Sequence, residues 1–591
     1  MFFARLFVYL HADMKKAIII LTVLLMGTPS FAANFETATE AVKNMGIGWN
    51  LGNALEAYIQ TETDVNNSNY WGQQGLDSET SWGQQPTKSE LLKMMKEAGF
   101  GAIRVPVTWF NHMDKDGTVN AEWMTRVHEV VDYVINQGMY CILNVHHDTG
   151  ADSQNGSFKS WIKADDTNYT NNKSRFEKLW QQIAEEFKDY DEHLLFESYN
   201  EMLDIKNSWC FASFNTSSQY DATIATSAYS AINKYAQSFV DVVRGSGGNN
   251  SQRNLIVNTY GACCGSGSWN THLKDPLSQM KVPTGESNHI IFEVHAYPDI
   301  VNKDSNGNIT SNRTLASIQS DINEIISNLK THLVAKGAPV IIGEWGTSNV
   351  DAGAGKTDYD ARKSLFLSFV DYFVKQCKAN NIATFYWMGL SDGIARLLPA
   401  FNQPDLALKI LQSWYGSDYQ PTLPSAGEYY VSATVNYEKQ WAELNLFEGS
   451  ATASQYTGIQ LELESTPASD ELMFKVYPKA TTKNITQASS TLSFTSAMGT
   501  ITRVTLQWKK TTKASVRVKN IYLIAKDGTK TTCTPNVSWG CTLSDVTVTT
   551  GIADITQDRG ADTNVYNLQG QRTSKPQKGV YIQNRRKYIS R

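Results

Sequence analysis

Two carboxylates stand where chemistry could be done. Glu201 closes Tyr199-Asn200-Glu201, just after the largely apolar run Leu194–Tyr199. Glu344 sits in Gly343-Glu344-Trp345-Gly346, at the end of the run Pro339–Gly343. Alone, each is ordinary: an Asn-Glu dipeptide can cap a helix and a Gly-Glu-Trp-Gly can turn. As a facing pair they are what hydrolysis of a glycosidic bond requires. One acid protonates the leaving oxygen, and the other attacks the anomeric carbon or activates water. A separation of roughly 5–5.5 Å selects attack and retained configuration.

Other polar residues close similar short runs. They are Arg104 in Ile103-Arg104-Val105-Pro106, Asn144-Val145-His146-His147-Asp148, Val294-His295-Ala296-Tyr297, Tyr386-Trp387, and the opening Gly48-Trp49-Asn50-Leu51-Gly52-Asn53. Arg104 and Tyr297 can donate to Glu344 and keep it ionised as a nucleophile. Glu201 must start protonated, which a neighbouring carboxylate favours. Asn200 is a candidate for holding a sugar 2-hydroxyl, and Trp387 offers a flat face to a pyranose ring. His146, His147 and Asp148 could suggest a metal. Adjacent strand residues point to opposite faces, however, so one histidine is expected to be structural, and no third or fourth ligand has an obvious spacing. No metal and no cofactor is therefore predicted. Asp114-Lys115-Asp116-Gly117 and Asp304-Ser305-Asn306-Gly307 lack the distal bidentate Glu of a calcium loop and read as turns. Trp71, Trp82, Trp109 and Trp269 are expected to divide between sugar platforms and core.

The elements that must position these residues repeat. Eight strand-like runs occur at Ile47–Leu51, Ala102–Val107, Tyr140–Val145, Leu194–Tyr199, Leu255–Thr259, Ile290–Val294, Pro339–Gly343 and Ala383–Trp387. Between and after them come helix-period segments: Lys88–Ala98, Ala121–Gln137, Lys173–Lys188, Ala225–Val243, Leu315–Ala335, Asp360–Ala379 and Asp405–Trp414. Eight strand-then-helix units predict an α/β fold of the (β/α)8 TIM-barrel type. A doubly wound sheet is disfavoured because no Gly-rich dinucleotide fingerprint follows the first strand. Barrel sites form at the C-terminal strand ends, where all the residues above lie. The fourth and seventh strands face each other across the mouth, so Glu201 and Glu344 become a pair.

After Gln420-Pro421-Thr422-Leu423-Pro424 helical periodicity stops. Seven short alternating runs, from Tyr429–Val435 to Ser515–Ile524, predict a C-terminal all-β sandwich ending near Asp545. Tyr437, Trp441 and Trp508 are its candidate stacking residues, with burial in a spacer domain the equal alternative. At the N-terminus, Met14-Lys15-Lys16, the apolar run Ala17–Met26 and Ser30-Phe31-Ala32 form an export signal cleaved near Ala32, with translation starting at Met1 or Met14. The expected divisions are a signal peptide at 1–33, a catalytic barrel at 34–419, a linker at 420–425, a sandwich at 426–548 that could bind carbohydrate, and a tail at 549–591.

Bulk properties narrow the field. At 591 residues the chain is too long for one ordinary core. With 41% hydrophobic and 19% charged residues it is not disordered. Its net charge of -5 excludes a generally basic, nucleic-acid-binding surface. No stretch is apolar enough to be transmembrane. The seven Cys match no zinc pattern, although Cys533 and Cys541 flank a turn-rich segment that a small disulfide loop could close. Neither a Gly-x-Ser-x-Gly elbow nor a His-Glu-x-x-His helix is present, so esterase and peptidase chemistry lacks support.

Taken in order, Arg104, His146, Asn200, Glu201, His295, Tyr297, Glu344 and Trp387 resemble the active-site set of glycoside hydrolase family 5, over about residues 40–415. The resemblance implies a retaining barrel hydrolase with Glu201 as acid/base and Glu344 as nucleophile, supported by Arg104, His146, His147, Asn200, His295, Tyr297, Trp387 and Asn50. Gly46–Asn53 and Glu79-Thr80-Ser81-Trp82-Gly83 look like the branch rich in endo-β-1,4-glucanases, which also holds xyloglucan, lichenan and mixed-substrate enzymes; a xyloglucanase or mannanase on the same machinery is the alternative. Gln84-Gln85 departs from the Asn-Pro of that pattern. The implied partner is a β-glucan polysaccharide, met outside the cell by a monomer. A glycan-binding protein that has lost its chemistry is the distant rival, and the presence of both acids speaks against it. Val565–Gln571 and Lys578–Ile582 resemble C-terminal sorting tails of exported Bacteroidetes proteins.

Overall fold

The computed structural model describes residues 35–152, 159–208, 220–266, 271–347, 357–387, 389–425 and 429–550, with short strands between 565 and 590. The expected leader, Cys210, Trp269 and most of the tail lie outside the described residues. The chain divides into two units, Met1–Pro424 and Ser425–Arg591.

The first unit is a closed barrel of eight parallel strands: β1 (Ile47–Asn50), β2 (Ala102–Val105), β3 (Tyr140–Asn144), β4 (Leu194–Glu197), β5 (Leu255–Asn258), β6 (Ile290–Ala296), β7 (Val340–Trp345) and β8 (Ala383–Tyr386). β1 closes the ring on β8, pairing Ile47 with Thr384. The connecting helices are α1 (Ser89–Ala98), α2 (Ala121–Ile135), α3 (Asp166–Glu186), α4 (Ala222–Gly245), α5 (Leu315–His332), α6 (Thr357–Ala379) and α7 (Pro404–Tyr415). After β5 the α-helix of the crossover, among the described residues, is only the five residues Asp275–Gln279. Side-chain oxygens start several helices: Asn120 caps α2, Asp165 caps α3 and Asp221 caps α4, each accepting from first-turn amides. α3 begins a full two turns before the expected Lys173. Its opening, Asp166-Thr-Asn-Tyr-Thr-Asn-Asn172, carries little apolar signal, and the Asp165 cap starts it instead.

Alternation along the strands makes two layers inside and one outside. Ile103, Val105, Leu143, Phe196, Val257, Phe292 and Ile342 point outward into the large core beneath the helices. Ala102, Ile142, Leu195, Ile256, Ile291 and Ile341 point inward and form an apolar floor. The helix Ala38–Met45 plugs that floor with Ala38, Val42 and Met45. Two residues further along each strand, with the same inward parity, come Arg104, Asn144, Glu197, Asn258, Glu293 and Gly343. The barrel therefore has an apolar bottom and a polar top.

The second unit stacks a six-stranded and a five-stranded antiparallel sheet around Leu444, Leu461, Phe474, Val504, Leu506 and Val518. All seven expected strands are present. The sandwich also carries edge strands at Thr481–Asn484, Lys530–Thr532 and Asn536–Trp539, and its last strand, Cys541–Thr550, runs past the expected end. Two open alternatives are decided here. Tyr437 and Trp508 are buried, stacked on each other at 5.6 Å, and belong to the core; Trp441 stays 45% exposed. Cys533 and Cys541 are not bridged: Cys533 Sγ faces the Thr531 carbonyl, while Cys541 Sγ donates to the Glu443 carbonyl inside the sandwich. Among the described residues no helix is long and apolar enough to cross a membrane.

Candidate active site

Arg104, on β2, is the hub of the polar layer and has no solvent exposure. Its Nε donates to Glu197 Oε2 at 2.6 Å and its Nη2 to Glu197 Oε1 at 2.8 Å, a bidentate pair. Nη2 also reaches Asn200 Oδ1 at 2.8 Å, and Nη1 donates to Glu344 Oε1 at 2.7 Å and to Asn50 Oδ1 at 3.0 Å. Asn50 in turn donates from Nδ2 to the carbonyls of Gly343 at 2.9 Å and Phe385 at 3.2 Å. Asn50 is thus buried support: it ties β1 to β7 and β8 while holding the arginine.

Glu344 enters the mouth through an irregularity. On β6 and β7, Val294 pairs with Ile342 and His295 with Glu344, so β7 has an extra residue at Gly343. A bulge re-aims the following side chain. Here it turns Glu344 inward beside inward-facing Gly343. Glu344 Oε2 accepts from Tyr297 Oη at 2.7 Å. Burial opposes its ionisation, but the charges of His295 and Arg104 and the donors Tyr297 and Arg104 outweigh that, holding the carboxyl below its usual range. Glu201, just beyond β4, is partly exposed, with Oε1 2.8 Å from His295 Nδ1. The same Nδ1 is 3.5 Å from Glu344 Oε2, so His295 stands between the two acids. Burial disfavours its charge; Glu344, Glu201 and Glu293 reverse that and push it up to about 10.

His146 is buried with Nδ1 facing Asn144 Nδ2 at 3.0 Å and Nε2 facing Asn200 Nδ2 at 3.4 Å. Burial drives it well below its ordinary value, so it is neutral. Its ring lies parallel to Trp387 at 5.8 Å. His147 does not point to the opposite face, contrary to expectation. β3 ends at Asn144, so strand alternation has lapsed, and the two imidazoles meet edge-to-face at 4.5 Å. His147 instead joins Tyr58 and the 37% exposed Trp82 in an aromatic rim, with centroids 5.5 and 5.3 Å away. Of the other candidate platforms, Trp71 and Trp109 are core. Gln84, the departure from the expected pattern, clips the rim to the loop after β8: it accepts from Gly393 N at 2.8 Å and donates to Asp392 at 3.2 Å. Both aspartate-rich loops are turns, closed by Gly117 N to the Asp114 carbonyl and Gly307 N to the Asp304 carbonyl.

Two further acids of the polar layer, Glu197 and Glu293, are not among the residues the sequence singles out. The available signal was an acid at an inward position of an otherwise apolar strand, Leu-Leu-Phe-Glu197 and Ile-Ile-Phe-Glu293. The described residues whose donor atoms come closest to a ligand set are Glu201, His295 and Glu344, all within 4.8 Å of one another. Their atoms already bind each other, Arg104 and Tyr297, which accounts for the cluster as two acids bridged by an imidazole.

The layout can be compared with known proteins. Residues 62–392 match the family model described as cellulase (glycosyl hydrolase family 5). Endoglucanase B of Neocallimastix patriciarum is 32% identical over 358 residues, 59% of this chain and 64% of that protein. The chain spans less than two thirds of the length of the curated relatives it matches first. A broad-specificity GH5-4 endoglucanase from an uncultured bacterium is 60% identical, with a TM-score of 0.59 over 66% of this chain and 98% of that one. A family 5 enzyme of Prevotella bryantii B14, solved in complex with a xyloglucan tetradecasaccharide, is 38% identical, with a TM-score of 0.52 over 64% and 99%. With more than half of the sequence inside the family match and the eight-residue set gathered at one end of a closed (β/α)8 barrel, the chain belongs to glycosyl hydrolase family 5.

Proposed function

We propose that the protein is a retaining endo-β-1,4-glucanase that cleaves internal bonds of cellulose-like β-glucans. The observation that carries this reading is the approach of Glu201 and Glu344 oxygens to within 4.8 Å across the barrel mouth. Inverting enzymes need roughly 6.5–9.5 Å to admit water between the acids. In the first step a Glu344 oxygen attacks the anomeric carbon. Glu201 gives its proton to the departing glycosidic oxygen, leaving an ester on Glu344. In the second step Glu201, now a carboxylate, takes a proton from water; the water oxygen attacks the same carbon and Glu344 is released as a carboxylate. Arg104 and Tyr297 keep Glu344 ionised, Asn200 and His146 orient the sugar, and Trp387 and Trp82 offer rings for it to stack on. No cofactor is needed.

A preparation of residues 34–591 is expected to lower the viscosity of carboxymethylcellulose rapidly while few reducing ends appear. Slow loss with many new ends would reject internal cleavage. Xyloglucan belongs in the same experiment, because a solved relative of 38% identity holds it. Cleavage of mannan alone would replace the glucan reading. The leader ending near Ala32 and the tail beyond 549 support work outside the cell or at its surface. Of the three candidate stacking residues, exposed Trp441 supports a carbohydrate-binding role there.

Tyr297→Phe gives a pH test. The tyrosine stabilises the charged form of Glu344, so removing it raises the pKa of that carboxyl. The acidic limb of kcat/KM is expected to move up by about one pH unit, the equivalent of ~1.4 kcal/mol. A profile with an unmoved acidic limb would mean that Tyr297 does not act on the nucleophile.

A further inference from the structure

Beneath the two acids lies a carboxyl that the reaction above does not use. Glu293, on β6, is fully buried, and neither of its oxygens has a hydrogen-bond partner. The Nε2 of His295, two residues along the same strand, is likewise buried and unpartnered. Glu293 Oε1 lies 3.5 Å from that Nε2 and 3.4 Å from Arg104 Nε. A buried polar atom left unpaired is costly, so orphaned groups just beyond bonding distance of one another mark a contact that closes with a small shift. The neighbouring strand makes room for it. A Cβ on Gly343 would fall 1.4 Å from Glu293 Oε1, so no other residue at 343 would leave the carboxyl in place.

We propose that Glu293 is a positioning residue: its Oε1 accepts the Nε2–H of His295, which keeps the imidazole protonated on both nitrogens with Nδ1–H aimed at Glu201 and Glu344. This rests on the reading of those two as acid/base and nucleophile. During the first step negative charge leaves Glu344 and appears on Glu201, and in the second it returns. An imidazolium anchored at Nε2 and placed 2.8 Å from one acid and 3.5 Å from the other compensates whichever is charged, without moving. The groups facing Glu293 fit this role. From β2 Arg104 presents a donor, from β4 Glu197 presents a charge, from β6 His295 presents Nε2, and beyond Gly343 on β7 stands Glu344. Burial, with the Glu197 charge, pushes Glu293 well above its ordinary value, which favours its neutral form and limits the negative charge it adds to the cluster.

Nitrogen-15 NMR of the imidazoles in the full chain tests this without substrate. The ten histidines are assigned by comparison with His295→Asn. His295 is expected to show two protonated nitrogens at pH 7; a bare Nε2 there would overturn the proposal, even if Glu201 and Glu344 keep their roles. Two variants extend the test. Glu293→Met removes the oxygen, and kcat is expected to fall at least tenfold with little change in KM. Glu293→Gln restores a carbonyl oxygen and is expected to recover most of that loss, with His295 again doubly protonated. Equal loss in Met and Gln variants, or none in Met, contradicts the role. Loss of activity in the unmutated chain, with the His295 signal as expected, would instead count against the glucanase reading.

Discussion

Glu344→Gln is expected to lower kcat on carboxymethylcellulose by at least about 10⁴-fold, on the scale seen when a covalent nucleophile is removed. The change is nearly isosteric. Arg104 Nη1 and Tyr297 Oη bind different oxygens of Glu344, at 2.7 Å each; in Gln the carbonyl oxygen can still accept from Arg104, while the amide nitrogen donates to the Tyr297 oxygen. What disappears is the negative oxygen that, in the proposed mechanism, attacks the anomeric carbon. The fold is therefore expected to survive, with an unchanged circular dichroism spectrum and a similar melting temperature, while reducing-end release stops. A variant that keeps more than about 1% of the activity, well above what removal of a nucleophile leaves, would show that Glu344 does not form the covalent intermediate.

Arg104→Met has the opposite signature, with stability as its main readout. The guanidinium is fully buried, bridges Glu197 and Glu344, and stands 3.4 Å from Glu293. Methionine leaves the fully buried Glu197 without its cation and strips Glu344 of its closest one, leaving it only His295 at 3.5 Å. Breaking a buried pair by removing one partner costs about 3–5 kcal/mol. The barrel's denaturation midpoint, followed by tryptophan fluorescence, is expected to fall accordingly. The deficit should narrow on acidification. Glu344's carboxyl is held below its ordinary value of 4.5, so the stabilisation it draws from Arg104 is present above that value. It is lost as pH falls through the lowered one. A midpoint unchanged at pH 7 would show that the acids find other partners.

Most of the barrel could be read in advance because each strand is short, apolar and buried on both faces, so that composition alone marks it. The errors have local causes. The start of α3 carries no helical apolar pattern because Asp166–Asn172 is polar apart from Tyr169 and is specified by a cap. The edge strand Thr481–Asn484 was missed because three of its four residues are exposed and nothing in it alternates. At the site, the residues closing each strand were legible since chemistry-bearing side chains at those ends have few other uses. Glu197 and Glu293 were not, because one acid within an apolar run carries no sign of its partner. That partner, Arg104, arrives from a strand 93 residues away in the first case. Tyr437 and Trp508 show the converse: aromatic identity does not tell a sugar platform from a core stack, since both are flat and apolar.

The seam between the first and last strands has a consequence for biosynthesis. Asn50 donates to the Phe385 carbonyl, 335 residues away, and that same Asn50 steadies the arginine beneath Glu344. A ribosome making this chain releases Glu201 and Glu344 well before Phe385. Until the eighth strand emerges and docks, the first has only one neighbour, the ring is open along one edge, and Asn50 lacks the two carbonyls of that strand that orient it. The nascent barrel can thus hold both acids and still lack their geometry. Competence comes at the end of barrel synthesis, when the ring closes, and an unfinished enzyme is kept inert by its own topology.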